Sequence, residues 1–200
     1  MAALGDSITA GSPYWDPEPR LRAEIGAALD EQSQWGYWAE RGDSRLEIRN
    51  CGVYGQRTDE IAARLECSAA GAEVLVVQGG INDIAQRHPT ERAAANLHEL
   101  VRRGRELGLR VALADVLPWN NGYPLAAGPI DDLNGRIAAI ARAEGVPLLP
   151  FHDALVDPDR PGRMRDDWTS DGDHPSAEGY RLLGAVVAER LLDQLGGLGE

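Results

Sequence analysis

Apolar residues along this chain follow two spacings, and the spacing differs between short and long segments. Short runs of apolar or alternating residues predict five strands, at residues 1–4, 46–49, 74–77, 109–114 and 146–149. Longer stretches with apolar residues three or four positions apart predict helices, at residues 21–29, 35–41, 58–65, 91–107, 130–144 and 177–195. Strands and helices therefore alternate, which predicts a single three-layer α/β domain around a parallel sheet over residues 1–200.

The carboxyl ends of parallel strands meet at one edge of the sheet, where open α/β folds place their functional sites. The first strand runs into Gly5-Asp6-Ser7 at this edge. A serine hydroxyl is a weak nucleophile unless a histidine takes its proton and a carboxylate fixes the tautomer of that histidine. Asp171 and His174 lie three residues apart in one loop, which allows the carboxylate to reach the imidazole. Ser7 alone also suits a helix cap, so the distant Asp171–His174 pair is what favours catalysis.

Four short blocks of the chain carry a family resemblance. Gly5-Asp6-Ser7, Gly55, Gly80-Ile81-Asn82-Asp83 and Asp171-Gly172-Asp173-His174-Pro175 resemble, in the same order, the four sequence blocks of the GDSL/SGNH hydrolases. They span nearly the whole chain, although the first strand is shorter before its glycine than is usual in that family. The resemblance implies a flavodoxin-like α/β/α fold with a five-stranded parallel sheet in the order 2-1-3-4-5.

The same resemblance implies a carboxylic ester hydrolase that works through an acyl-enzyme, without a cofactor or a metal. It implies Ser7 as the nucleophile, His174 as the base and Asp171 as the partner of that histidine. It also implies an oxyanion hole formed by the backbone N–H groups of Ser7 and Gly55 and by the side-chain amide of Asn82. From the residues alone, Gly55 is an ordinary turn glycine, and Asn82 also suits a helix cap or a left-handed turn.

Two other acids in these blocks are expected to lie outside the chemistry. Asp6 is expected to bond the backbone of its own turn, and Asp173 is expected to face solvent. His152 and Asp153 form a rival base–acid pair after the fifth strand, but adjacent residues usually point their side chains apart. A metal hydrolase using Asp171, Asp173, His174 and His152 is a further alternative, because these residue types bind divalent ions.

Aromatic residues in loops near the same edge are candidates for substrate binding. They are Tyr14, Trp15, Trp119, Tyr123 and Trp168. They favour a short acyl group, such as acetyl, on a sugar or an aryl alcohol as the substrate. Lysophospholipases and thioesterases of the same fold are alternatives, as is a carbohydrate-binding domain without catalysis that uses the same aromatic residues as stacking platforms.

Charge and composition limit the classes of partner that this protein can have. The net charge of −12 argues against nucleic acid and anionic membranes, because both require a basic surface. The first glycine turn lacks the G-x-G-x-x-G spacing of dinucleotide-binding domains. No apolar run is long enough to span a bilayer. The chain starts directly in its first predicted strand, without a visible signal peptide, which predicts a cytoplasmic protein or one whose leader has been removed.

Overall fold

A five-stranded parallel sheet forms the centre of the molecule in the computed structural model, which describes residues 1–195. The strands are β1 (Ala2–Gly5), β2 (Arg49–Gly52), β3 (Val74–Val77), β4 (Arg110–Ala114) and β5 (Leu148–Leu149). Their order is β2-β1-β3-β4-β5, so the predicted fold class is confirmed. Strand β1 lies in the interior of the sheet, where Leu4 is in register with Cys51 on one side and Val77 on the other.

Helices cover both faces of this sheet. They are α1 (Ser7–Ala10), α2 (Pro19–Ile25), α3 (Trp35–Gly42), α4 (Thr58–Ala62), α5 (Leu65–Ala69), α6 (Ile81–Ala85), α7 (Thr90–Glu106), α8 (Ala127–Glu144), α9 (Phe151–Leu155) and α10 (Ala177–Leu195). Helices α4 to α8 pack on one face, and α1, α3, α9 and α10 pack on the other. No helix in the described part of the chain combines the length and apolar character needed to cross a membrane.

Strand β3 is apolar at every position because helices pack on both faces of the sheet. Leu75 and Val77 belong to the core under α4 to α8, whereas Val76 belongs to the core under α3 and α10. Successive side chains of a strand point to opposite faces, so a strand covered on both faces has to be apolar at every position. The continuous run at residues 74–77 therefore follows from the central position of β3.

Several predicted elements differ from the structure. The fifth strand covers residues 148–149 rather than 146–149, and the helix predicted at residues 21–29 is α2 at residues 19–25, followed by a short 3-10 helix. The second strand lies at residues 49–52 rather than 46–49, because Leu46 and Ile48 pack against the α3 and α10 side of the core before the strand begins. The helix predicted at residues 58–65 is two short helices, α4 and α5, with a break before Leu65. The segment before Asp171, for which the sequence predicts no strand, contains a small hairpin of β6 (Val156–Asp157) and β7 (Arg160–Met164).

Asp115 follows β4 and joins it to α9. Its Oδ1 accepts a hydrogen bond from the His152 N–H at 2.8 Å, and the residue is only 9% exposed. Burial raises the pKa of Asp115 from 3.8 to about 7. Because the folded-state pKa lies above the unfolded one, this group favours the folded chain most at low pH, and its contribution is lost as the pH rises from about 4 to 7.

Asp115→Asn is therefore expected to reduce the pH dependence of stability. In urea titrations, the free energy of unfolding of the wild type should fall between pH 5 and pH 8, and the part due to Asp115 should be on the order of 2 kcal/mol. The variant should lack that part of the slope, since asparagine carries no charge. Equal slopes in the two proteins would contradict the assignment.

Candidate active site

Ser7 lies at the carboxyl end of β1, as the first residue of α1. The turn before it is held by Asp6, whose Oδ1 accepts a hydrogen bond from the Ile8 N–H at 3.0 Å, so the expected backbone contact of Asp6 is confirmed. A side chain at Gly5 would overlap Thr9, which explains the glycine. Burial raises the pKa of Asp6 to about 6. The turn therefore presents Ser7 at the sheet edge, where the residue is 5% exposed.

His174 lies between Ser7 and Asp171. The distance from His174 Nε2 to Ser7 Oγ is 3.1 Å, and the distance from His174 Nδ1 to Asp171 Oδ2 is 2.8 Å. An ionised carboxylate only accepts hydrogen bonds, so the proton of a neutral imidazole sits on Nδ1 and leaves Nε2 to accept from the serine hydroxyl. The arrangement can move a proton from Ser7 to His174.

The Asp171 carboxylate is held ionised by its own loop. Burial by itself raises its pKa, but hydrogen bonds from the His174 ring and from the His174 and Asp173 N–H groups outweigh that effect. Those two backbone groups donate to Asp171 Oδ1 at 2.7 and 2.9 Å. The pKa of Asp171 therefore lies below its usual value, and the carboxylate remains charged beside the imidazole at neutral pH.

A cavity of about 110 Å³ opens beside Ser7. It is lined by Ser7, Ile8, Tyr54, Gly55, Ile81, Asn82, Ala85, Trp119, Asp173 and His174. Gly55 lies in a turn with φ of +76°, a conformation that glycine adopts without strain. Asn82 Nδ2 donates to the Gln56 carbonyl at 2.9 Å, and because an amide has two N–H donors, the second is left for a ligand. The structure thus brings Gly55 and Asn82 to the same cavity as Ser7 and His174.

The predicted aromatic residues are not gathered in one place. Trp119 lines the cavity beside Ser7, and Tyr123 lines a neighbouring cavity of about 610 Å³ that shares Trp119. Trp15 lines a different cavity, against α3. Trp168 packs on the core beside α10 and stacks on the Arg165 guanidinium. Tyr14 is partly exposed and is not among the described residues that line the cavity beside Ser7.

Asp173 does not face solvent as expected. Its Oδ1 accepts hydrogen bonds from Trp119 Nε1 at 2.5 Å and from Asn121 Nδ2 at 2.8 Å. The loop after β4 folds over the Asp171–His174 loop, and two donors from it meet the Asp173 carboxylate. This contact also fixes the indole of Trp119 at the cavity wall.

Tyr54 is a site residue that sequence reasoning missed. It lines the cavity, and its ring centroid lies 6.2 Å from that of His174. The side chain is 63% exposed, which places it at the mouth of the cavity. Its position directly before Gly55 was the only available signal.

His152 and Asp153 contact each other but lie elsewhere. His152 Nδ1 is 3.5 Å from Asp153 Oδ1, so the expectation that the two side chains point apart is wrong. Neither residue is among the described residues that line the cavity beside Ser7. Within residues 1–195, no three histidine, cysteine, aspartate or glutamate side chains gather where they would hold a metal ion.

Comparisons with known proteins agree with the fold described above. The chain matches the GDSL-like lipase/acylhydrolase family over residues 3–182. No curated protein matches it. A GDSL-like lipase from Bacteroides thetaiotaomicron is 20% identical, with a TM-score of 0.75 and coverage of 96% of this chain and 87% of that one.

Two further solved structures share the fold. A member of the lipolytic protein G-D-S-L family from Veillonella parvula is 18% identical, with a TM-score of 0.74 and coverage of 98% of this chain and 97% of that one. The lipase/acylhydrolase from Enterococcus faecalis is 22% identical, with a TM-score of 0.72 and coverage of 96% and 94%. The structural matches agree in fold, the family match covers most of the sequence, and the chain therefore belongs to the GDSL-like lipase/acylhydrolase family of ester-hydrolysing enzymes.

Proposed function

We propose that this protein hydrolyses carboxylic esters of short acyl groups, acetyl above all, through a covalent intermediate on Ser7. The observation that carries the proposal is the contact of His174 with Ser7 Oγ on one side and Asp171 on the other, at the edge of a small cavity. That arrangement supplies a nucleophile, a base and a group that orients the base. Gly55 and Asn82 on the same cavity supply candidate donors for an oxyanion.

The proposed reaction has two halves. In the first, Ser7 Oγ attacks the ester carbonyl carbon while its proton passes to His174 Nε2, and collapse of the tetrahedral intermediate breaks the bond to the alcohol, which takes that proton. In the second, a water attacks the acyl-serine while His174 again accepts a proton. The carboxylic acid leaves and the Ser7 hydroxyl is restored. Asp171 orients the imidazole and stabilises its charged form in both halves.

The oxyanion hole stabilises the negatively charged oxygen of each tetrahedral intermediate by hydrogen bonds. The Ser7 and Gly55 backbone N–H groups and the Asn82 amide are the proposed donors. Hydrogen-bond donors already in place cost little reorganisation when charge develops, which is why such sites contribute strongly to rate. No metal or cofactor is required for any step of this reaction.

The size of the cavity supports a short acyl group. About 110 Å³ is less than the roughly 150 Å³ of an engineered cavity that holds benzene, so the space suits an acetyl group better than a long chain. The neighbouring cavity of about 610 Å³ begins on the other side of Trp119 and Ala85. Its aromatic and apolar lining, which includes Tyr123 and Leu125, suits an aryl alcohol as the leaving group.

The test is hydrolysis of p-nitrophenyl esters of increasing acyl length by the purified protein. We expect the highest kcat/KM with acetate or butyrate. A preference for long acyl chains would replace the short-acyl proposal by the lysophospholipase or thioesterase alternative. The absence of turnover on every ester would overturn the proposed function and favour a non-catalytic carbohydrate-binding domain.

Trp119→Ala is expected to widen the acyl preference. Its indole lines both the small cavity and the larger one, so removing it enlarges the space beside Ser7 that is open to the acyl group. We expect kcat/KM for hexanoate and octanoate esters to rise relative to acetate by about tenfold, the effect of burying about two methylene groups. Trp168→Ala is the matched control, because that tryptophan lies outside the cavity. The same acyl profile in both variants and the wild type would show that Trp119 does not limit the acyl group.

A further inference from the structure

Arg64 lies in the break between α4 and α5, and its guanidinium joins three segments that meet at the sheet edge. Nε donates to Gln56 Oε1 at 2.8 Å, Nη1 donates to the Cys51 carbonyl at 2.9 Å, and Nη2 donates to the Gly5 carbonyl at 3.1 Å. The side chain is half-buried, and all three acceptors are neutral oxygens. Burial lowers the pKa of Arg64, but an arginine remains charged at any working pH.

Two of the three acceptors, Gly5 and Gln56, lie close in sequence to residues that are proposed oxyanion donors. Gly5 ends β1 two residues before Ser7, and its carbonyl also accepts from the Val53 N–H at 3.0 Å. Gln56 directly follows Gly55, and its own carbonyl accepts from Asn82 Nδ2 at 2.9 Å. The Arg64 guanidinium therefore bonds directly to the Gly5 backbone, two residues before Ser7, and to the side chain of Gln56, the residue after Gly55. Asn82 is reached through the same Gln56.

We propose that Arg64 is a positioning residue for the oxyanion hole, holding the turn that carries Gly55 against the end of β1 that carries Ser7. The planar guanidinium presents its N–H groups in a fixed fork, so three contacts set the relative position of the two turns. The turn at Gly55 is held by hydrogen bonds rather than by packing: besides those of Arg64, the Val53 N–H donates to the Gly5 carbonyl and Asn82 Nδ2 donates to the Gln56 carbonyl. A Cβ at Gly55 would meet nothing within 4 Å, and Tyr54 beside it is largely exposed. A displacement of about 1 Å in such a site costs on the order of a hundredfold in rate.

The inference rests on the proposed function, and the chain offers a matched control. Arg49 is an arginine on β2 whose Nη2 donates to two backbone carbonyls, those of Ser68 at 2.5 Å and Ala70 at 2.8 Å. Both Arg49 and Arg64 line the same surface cavity. Arg49 makes the same kind of contact but reaches neither Gln56 nor Gly5.

The experiment compares Arg64→Met with Arg49→Met on p-nitrophenyl acetate. For Arg64→Met we expect kcat to fall by about tenfold to a hundredfold with KM changed by less than about threefold, because the donors act mainly in the transition state. For Arg49→Met we expect kcat within about twofold of the wild type. A low concentration of guanidinium chloride should restore part of the turnover of Arg64→Ala and leave the wild type unchanged. A general loss of stability would not respond in this way.

Gln56→Met tests the same link from the other side and covers the case in which Arg64→Met does not fold. It removes one acceptor and keeps the arginine, so Gln56→Met by itself should lower kcat on p-nitrophenyl acetate, by less than Arg64→Met does. If the two residues act through one contact, the double variant should lose no more turnover than Arg64→Met alone. Equal kcat in Arg64→Met and Arg49→Met, or full additivity with Gln56→Met, would overturn the inference. A wild type that is inactive on every ester, or a Ser7→Ala variant that is fully active, would instead overturn the proposed function.

Discussion

Ser7→Ala is expected to lower kcat for p-nitrophenyl acetate by on the order of a millionfold, to the background that binding and oxyanion stabilisation provide alone. The substitution removes the proposed attacking atom and the hydroxyl that donates the 3.1 Å hydrogen bond to His174 Nε2. It should not disturb the fold, because helix α1 is capped by Asp6 rather than by the serine hydroxyl. The variant should therefore keep its fold and its substrate-binding cavity while it loses catalysis.

Ser33→Ala is the matched control for this experiment. Ser33 is also fully buried, and its hydroxyl has no hydrogen-bond partner among the described residues. Its removal should leave kcat within about twofold of the wild type. A second measurement is mass spectrometry of enzyme quenched during turnover, in which the peptide containing Ser7 should carry the acyl group. Turnover by Ser7→Ala within about tenfold of the wild type would exclude an acyl-enzyme on Ser7.

Asn82→Ala is expected to lower kcat by about a hundredfold to a thousandfold with little change in KM. This is the loss expected when one oxyanion donor is removed. The amide can serve this role because, among the described residues, one of its two N–H groups donates to the Gln56 carbonyl at 2.9 Å and the other has no acceptor. Asn82 is the second residue of α6, and the residue before this helix, Gly80, has a φ of +120°. The tight turn at Gly80 and the hydrogen bond to the Gln56 carbonyl together position the Asn82 side chain.

Asn96→Ala separates loss of an oxyanion donor from loss of a structural amide. Among the described residues, Asn96 Nδ2 makes one hydrogen bond, to Thr58 Oγ1 at 2.9 Å, and Asn96 is not one of those that line the cavity beside Ser7. Its kcat should remain close to that of the wild type. Nearly unchanged turnover in Asn82→Ala would remove Asn82 from the proposed oxyanion hole.

Local signals identified the elements better than their boundaries. The central strand at residues 74–77 was predicted in full because both of its faces are buried. The edge strand was placed three residues too early, since β2 pairs on one side only and its sequence, Arg49-Asn50-Cys51-Gly52, carries no apolar alternation. The break between α4 and α5 was missed because the apolar spacing continues through it. The contacts of Arg64 in the break, with Cys51 and Gly5, join it to strands elsewhere in the chain and leave no local signal.

The roles of the aromatic residues in loops could not be predicted from the local sequence either. Composition placed five aromatic residues in loops, but only packing decides which of them meets the cavity beside Ser7. Trp119 does so because Asp173, 54 residues later, accepts its indole N–H. Trp168 stacks instead on its neighbour Arg165. Nothing in the local sequence distinguishes these two tryptophans.

By itself, the sequence determined the features that depend on neighbours along the chain. These are the buried central strand, the glycine turns, and the contact between Asp171 and His174, which needs only a tight loop of four residues. Tertiary structure alone decided the approach of His174 to Ser7 across 167 residues, the contact of Tyr54 with His174, and the three bonds of Arg64. Local periodicity reports which face of an element is buried, whereas these contacts depend on how separate elements pack against one another at the sheet edge.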